Sequence, residues 1–260
     1  MKEWDINIYR GILTGYNDAF IIDGSIRNKL ICQDAKSAEI IRPILRGRDV
    51  KRYNYQFADL YIIATFPSLH YDINEYPAVR DYLLSFGMER LEQTGAIHTI
   101  NGAIIKSRKK TRNKWFETQD SISYWDDFSK QKIVWGNLCL SAQYAMVEAG
   151  MYINAPSPFI ASDDYYLLAA LNSKIADWYV RNLGVTRNGG YFEYKPMFVE
   201  QIPIAKNVDC HLKEKIIKAA YLLQHSRKEC KNLLEMEQSI NKCFYDIYEL
   251  SDIEIKYIEK

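Results

Sequence analysis

From His211 to Ile247 the chain contains no glycine and no proline. Leu212, Ile216, Ala219, Leu223, Cys230, Leu234 and Cys243 recur there at roughly helical spacing among lysines and glutamates. Such a stretch reads as one long helix or a pair of them. After it, "YELSDIEIKYIEK" restarts a helix, because Ser251 and Glu254 form the S-x-x-E of a capping box. The composition shifts just past Pro203, and a boundary near residue 206 separates a mixed α/β body, 1–205, from a helical extension, 206–260. Neither part contains an internal repeat or a low-complexity segment.

Inside the body, short apolar runs alternate with turn residues. "AFIID" (19–23), "DLYIIATFP" (59–67), "KIVWGNL" (132–138), "YAMVEAGMYIN" (144–154) and "SPFIAS" (157–162) read as strands of β-branched and aromatic type. The spacing predicts a helix from Glu75 to Gln93, with Pro77 in its first turn and Gly95 just past its end. Ser162 is placed to cap a second helix over "DDYYLLAALNSKIADWYVRN" (163–182). Its apolar face is Leu167, Leu168, Leu171, Ile175 and Trp178, and Gly184 marks its end. The expected fold class is α+β: a twisted, mixed or mostly antiparallel sheet flanked by helices, with a C-terminal helical extension packed on the body or on a domain absent from this chain.

Composition excludes several classes. With 48% apolar and 13% aromatic residues the chain is not disordered. The net charge of +1 supplies no whole-molecule attraction for an anionic partner, so any basic surface is local. Five cysteines, Cys32, Cys139, Cys210, Cys230 and Cys243, contain no C-x-x-C pair and suit a reducing compartment. No apolar run approaches a membrane span, and "KEWDINIYR" after Met1 is no signal peptide, so the chain reads as cytoplasmic. The four histidines lie far apart and outside metal-binding spacings, and no nucleophile elbow, Walker loop or dinucleotide fingerprint occurs. "EIK" (254–256) resembles half of a metal-dependent nuclease signature, but no Pro-Asp precedes it at suitable spacing and the capping box accounts for it. Catalytic and metal-ligating residues are therefore expected to be absent.

Charge is clustered instead. "IRPILRGRDVKRY" (41–53) holds Arg42, Arg46, Arg48, Lys51 and Arg52 against Asp49 alone. "KSRKKTRNKWF" (106–116) holds Lys106, Arg108, Lys109, Lys110, Arg112 and Lys114 against no acid. Each cluster is either a solvated basic loop or a contact for a polyanion, and two of them in a nearly neutral chain favour the polyanion. Tyr53, Trp115 and Phe116 adjoin the cations and can pack on bases or belong to the core. A third loop, "GILTGYNDAF" (11–20), packs Gly11, Thr14, Gly15, Asn17 and Asp18 together, as in an ordinary turn or a binding surface.

The order "GILTGYNDAF", "ILRGRDVKRY", "RNKWFE", "KIVWGNL", "FIASDDYYLLAALNSKIADWYV", "GGYFEYKPMFVEQIPI" resembles the TaqI-like C-terminal specificity domain over most of residues 8–205. That domain is the target-recognition part of adenine-specific DNA methyltransferases and fused restriction-modification enzymes. The end "CFYDIYELSDIEIKYIE" looks like the helical segment that often follows in the fused enzymes. The resemblance implies a catalytic half with an Asn-Pro-Pro-Tyr type motif and an S-adenosylmethionine loop. Neither occurs in these 260 residues. This chain is thus expected to carry no cofactor and to be non-catalytic by itself, with S-adenosylmethionine bound by a methyltransferase domain, and a possible nuclease domain, of the same or a partner chain.

The resemblance also implies that residues 1–205 recognise double-stranded DNA. Gly11, Thr14, Gly15, Arg46, Arg48, Lys51, Arg52, Arg108, Lys109, Lys110, Arg112 and Lys114 are then expected at the DNA backbone, and Asn17, Arg187, Asn188 and Tyr191 at the bases. A protein-interaction or oligomerisation module and a self-sufficient nuclease are the alternatives.

Overall fold

The structure is a computed structural model and describes residues 1, 4, 6–226 and 232–260. Side-chain alternation along the strand Lys132–Trp135 sets the layering. Ile133 and Trp135 point to one core, and Val134 points to another. Tyr144–Val147 alternates in the same way, with Tyr144 and Met146 on the first side and Ala145 and Val147 on the second. Both faces of this sheet are therefore buried. Its strand order is Ile8–Arg10, Pro158–Ile160, Lys132–Trp135, Tyr144–Val147, all antiparallel.

A second four-stranded sheet stacks on it through Ile44, Leu45, Ile62, Val134, Ala145 and Phe159. Its order is Tyr152–Ile153, Ile41–Leu45, Leu60–Ile63, Ile21–Asp23, with only the first pair parallel. The outer face of the second sheet, Ile22, Ile41 and Ile63, packs on the helices Gly24–Gln33 and Pro77–Leu84. The outer face of the first packs on Tyr165–Asn172, Cys210–His225 and Leu233–Ile247. The architecture is α+β, as the sequence predicts, with two stacked sheets in place of one.

Several elements are shorter than their sequence patterns. The helix expected over 75–93 is a turn at Ile73–Glu75, then Pro77–Leu84, then Met88–Leu91. The interruption falls at Gly87, whose φ of 87° is left-handed and ends an α-helix. The helix expected over 163–182 is two, Tyr165–Asn172 and Lys174–Leu183, because Ser173 has ψ 154°. The Ser173 hydroxyl accepts from Ala176 N at 3.2 Å and donates to the Ala170 carbonyl at 2.7 Å, so it caps both pieces. Asp164, and not Ser162, caps the first piece by accepting from Tyr166 N and Leu167 N. Ser162 lies two residues upstream and accepts from Asp164 N.

"AFIID" begins as the last turn of a short helix, Asn17–Phe20, before its strand. The runs 132–138 and 144–154 each break into two strands, Lys132–Trp135 with Leu138–Cys139 and Tyr144–Val147 with Tyr152–Ile153. The Gly/Pro-free stretch is a pair of helices, and the position of Cys230 lies outside the described residues. The capping box at Ser251 and Glu254 forms and opens Asp252–Ile258.

Candidate nucleic-acid interface

The opening loop is shaped by its small residues. The Gly11 amide donates to the Ser157 carbonyl at 2.8 Å, and a side chain at Gly11 would lie 2.7 Å from the Asn154 backbone. Gly11 is thus a place where two backbones of this protein touch. Thr14 is fully buried. Its hydroxyl accepts from Tyr16 N and donates to Asn17 Oδ1 at 2.7 Å, which orients Asn17. Gly15 has φ 77° and is exposed at the bend between them.

Asn17 lines a cleft of about 570 Å³ with Arg46, Gly47, Arg48, Lys51 and Tyr191. Three segments far apart in sequence meet there. Gly136–Leu140, Gln143 and Asn154–Ser157 complete the lining. Leu138, Cys139 and Tyr191 of that lining belong to one small sheet, ordered Leu138–Cys139, Tyr191–Glu193, Thr186–Arg187. Arg46 is held by Asp49 through Nε at 2.9 Å and Nη2 at 2.8 Å, a bidentate pair that fixes the turn Gly47–Asp49. Arg48 and Lys51 are exposed and form no ion pair among the described residues. Burial pushes the Cys139 thiol up to about 11, against the opposing pull of the Lys51 charge.

Arg187 and Asn188 stand beside the cleft on the same hairpin as Tyr191, with Arg187 directly across the ladder from Tyr191. Glu193, nearly buried, accepts from Arg187 Nε at 2.6 Å and pairs with Lys195 Nζ at 2.6 Å. Those two cations, Lys195 first, hold its carboxyl below the usual range. With its Nε edge taken by Glu193, Arg187 keeps its outer guanidinium edge for another acceptor.

Besides Arg46, which Asp49 holds, two further cations expected at the DNA backbone are used inside the protein. Arg108 is 3% exposed and donates to the carbonyls of Leu91, Thr14, Glu117 and Trp115. It is the strut that joins the basic loop to the loop bearing Asn17. Arg52 pairs with Glu237 of the helix Leu233–Ile247 at 2.7 Å and so faces the extension. Sequence alone treats these two as equal to their neighbours, because burial is set by tertiary contacts. Lys109, Lys110, Arg112 and Lys114 are exposed, on a loop that does not line the cleft. Tyr53 and Phe116 are buried in the core.

Sequence reasoning missed Asn137, Leu138, Leu140 and Gln143, which also line the cleft. Leu138 and Leu140 are about half exposed, and no signal in the sequence marks them, because their exposure is set by tertiary contacts. Among the described residues no cluster of His, Cys, Asp and Glu could hold a metal ion, and no helix is long and apolar enough to cross a membrane.

The fold is similar to that of the type IIL restriction-modification enzyme MmeI, solved in complex with DNA. The TM-score is 0.69 at 14% identity, over 96% of this chain and 33% of that one. It is similar also to the type IIG restriction endonuclease BpuSI, with a TM-score of 0.50 at 12% identity, over 94% and 31%. This chain spans about a third of the length of either enzyme. No curated protein matches the sequence. Residues 42–204, from the first basic cluster to the end of the body, match the TaqI-like C-terminal specificity domain, and the chain belongs to that family.

Proposed function

We propose that this chain recognises a specific sequence in double-stranded DNA as the specificity domain of a restriction-modification enzyme, with adenine methylation performed by a domain outside it. The observation that carries this reading is the cleft, in which Asn17, Arg46, Arg48, Lys51 and Tyr191 converge from three segments. Arg48 and Lys51 serve phosphates, and Asn17, Arg187, Asn188 and Tyr191 serve base edges and faces. Gly15 and the exposed loop cations Lys109, Lys110, Arg112 and Lys114 extend the backbone contact beyond the cleft. Family membership and the likeness to MmeI, itself solved with DNA, support the same reading.

S-adenosylmethionine belongs, in this reading, to the absent methyltransferase domain. The chain's own residues bind and orient the duplex and take no part in methyl transfer. The test is a titration of a mixed-sequence duplex at several salt concentrations, with and without S-adenosylmethionine and Mg²⁺. Binding should weaken steeply with salt and ignore both additives, with no methyl transfer and no cleavage. Methylation or cutting by the chain alone would overturn the non-catalytic assignment, and salt-insensitive or absent binding would overturn DNA recognition.

A further inference from the structure

The strands Ile97–Ile100 and Ala103–Lys106 form a two-stranded ribbon closed by Asn101 and Gly102, both with positive φ, as the tight Asn-Gly hairpin turn requires. Residues directly opposite in an antiparallel pair share a face. Ile97 with Lys106 and Thr99 with Ile104 therefore make the outer face, and His98 with Ile105 the inner one. The inner face is half-buried, whereas Ile97 is 68% and Ile104 77% exposed. Two β-branched aliphatic side chains are thus diagonal neighbours on a face left uncovered among the described residues.

The ribbon is firmly rooted. Beyond its strands the ladder continues through Ser107 N to the Ala96 carbonyl and Gly95 N to the Arg108 carbonyl, and Arg90 donates to the Lys106 carbonyl. Buried Arg108 then binds the Thr14 carbonyl, next to the loop that presents Asn17 to the cleft. From Gln93 to Phe116 the sequence contains no acidic residue. Lys106, Lys109, Lys110 and Arg112 at the root are exposed and form no ion pair among the described residues. An apolar face framed by unpaired cations is complementary to a nucleic-acid groove, where phosphates flank base edges and thymine methyl groups.

We propose that this ribbon enters the major groove of the duplex held in the cleft, with Ile97 and Ile104 against the bases and the root cations on the flanking phosphates. The inference rests on the DNA-recognition reading above. A two-stranded ribbon is of the size that the major groove admits, and an aliphatic side chain there meets the thymine methyl.

The test uses duplexes that the wild-type chain selects from a random-sequence pool, titrated over a salt series. Ile104→Ser and Ile97→Ser, both at exposed positions, should each weaken binding about tenfold with an unchanged salt slope, because an apolar contact releases no counterions. Ile104→Val should bind nearly as wild type. Lys109→Ala should lower the slope. Uracil in place of thymine should weaken the wild type and leave Ile104→Ser unmoved. Wild-type affinity and uracil response in both serine variants would overturn the proposal and leave the ribbon as a protein-docking face, with DNA recognition intact. Failure of the wild type to select or bind any duplex would overturn the recognition reading and the ribbon proposal together.

Discussion

A guanidinium surrounded by carbonyl oxygens contributes through each bond and leaves each acceptor stranded when it is removed. Arg108 donates to four carbonyls from three separate segments, and burial pulls its charged form down to about 10, still ionised at neutral pH. Arg108→Ala should cost about 3 kcal/mol or more, and Lys109→Ala, on the exposed neighbour, within about 0.5 kcal/mol. Chemical denaturation of both variants checks the contrast. Lys132 is the second buried cation. Its ammonium donates to the carbonyls of Phe128 and Glu148, and burial lowers it to about 8. The unfolded chain, near 10.4, then binds more protons than the folded one between about pH 8 and 10, so the cost of burying the charge is full below pH 8 and is relieved as pH rises. The stability of the wild type relative to Lys132→Met should therefore rise by roughly 1 to 3 kcal/mol across that window, and denaturation at several pH values measures it. Neither burial was legible in the sequence. Arg108 sits in a run of six cations, and only the carbonyls brought from Thr14, Leu91 and Trp115 distinguish it.

Helix boundaries follow from single hydrogen-bonding side chains. The apolar face over 163–182 was legible because Leu167, Leu168 and Leu171 face one core. The break was not, because serine is tolerated within a helix and the choice to cap is made by packing. Here Asn172, the residue before the break, bonds both the amide and the carbonyl of Tyr144 on the sheet edge, and Asn241 accepts from Lys174 N just after it. Those contacts fix two helix directions, and Ser173 supplies the cap between them. Ser173→Ala should cost about 1 kcal/mol, and Ser162→Ala should cost less, because Ser162 binds a single amide ahead of the true cap. Thermal unfolding of the two variants ranks them. The helix over 75–93 failed for the opposite reason, since its breaker was visible at Gly87 and the apolar periodicity ran through it.

The extension closes the molecule. Ile216, Ala220, Leu223, Ile240 and Phe244 share one core with Leu167, Leu168 and Trp135, and Gln224 bonds both backbone groups of Met146 on the sheet edge that would otherwise be open. The sequence places a compositional boundary near residue 206, and the packing across that position is one of the two arrangements that the sequence allowed. At the site, the sequence named residues of three segments without knowing that they meet. The sheets bring Asn17, Arg48, Lys51 and Tyr191 to one cleft, keep the basic loop outside its lining and turn Arg52 toward Glu237. In the proposed function, residues at and beside this cleft read bases while the exposed loop senses only charge. The most direct measurement is the ratio of affinities for a selected duplex and for random DNA, taken for the wild type, Arg187→Ala and Lys109→Ala. Arg187→Ala should lose roughly 1 to 3 kcal/mol on the selected duplex alone and narrow the ratio. Lys109→Ala should weaken both alike and reduce the salt slope by about one. Equal weakening of both duplexes by Arg187→Ala, with the ratio unchanged, would overturn the base-reading role of Arg187.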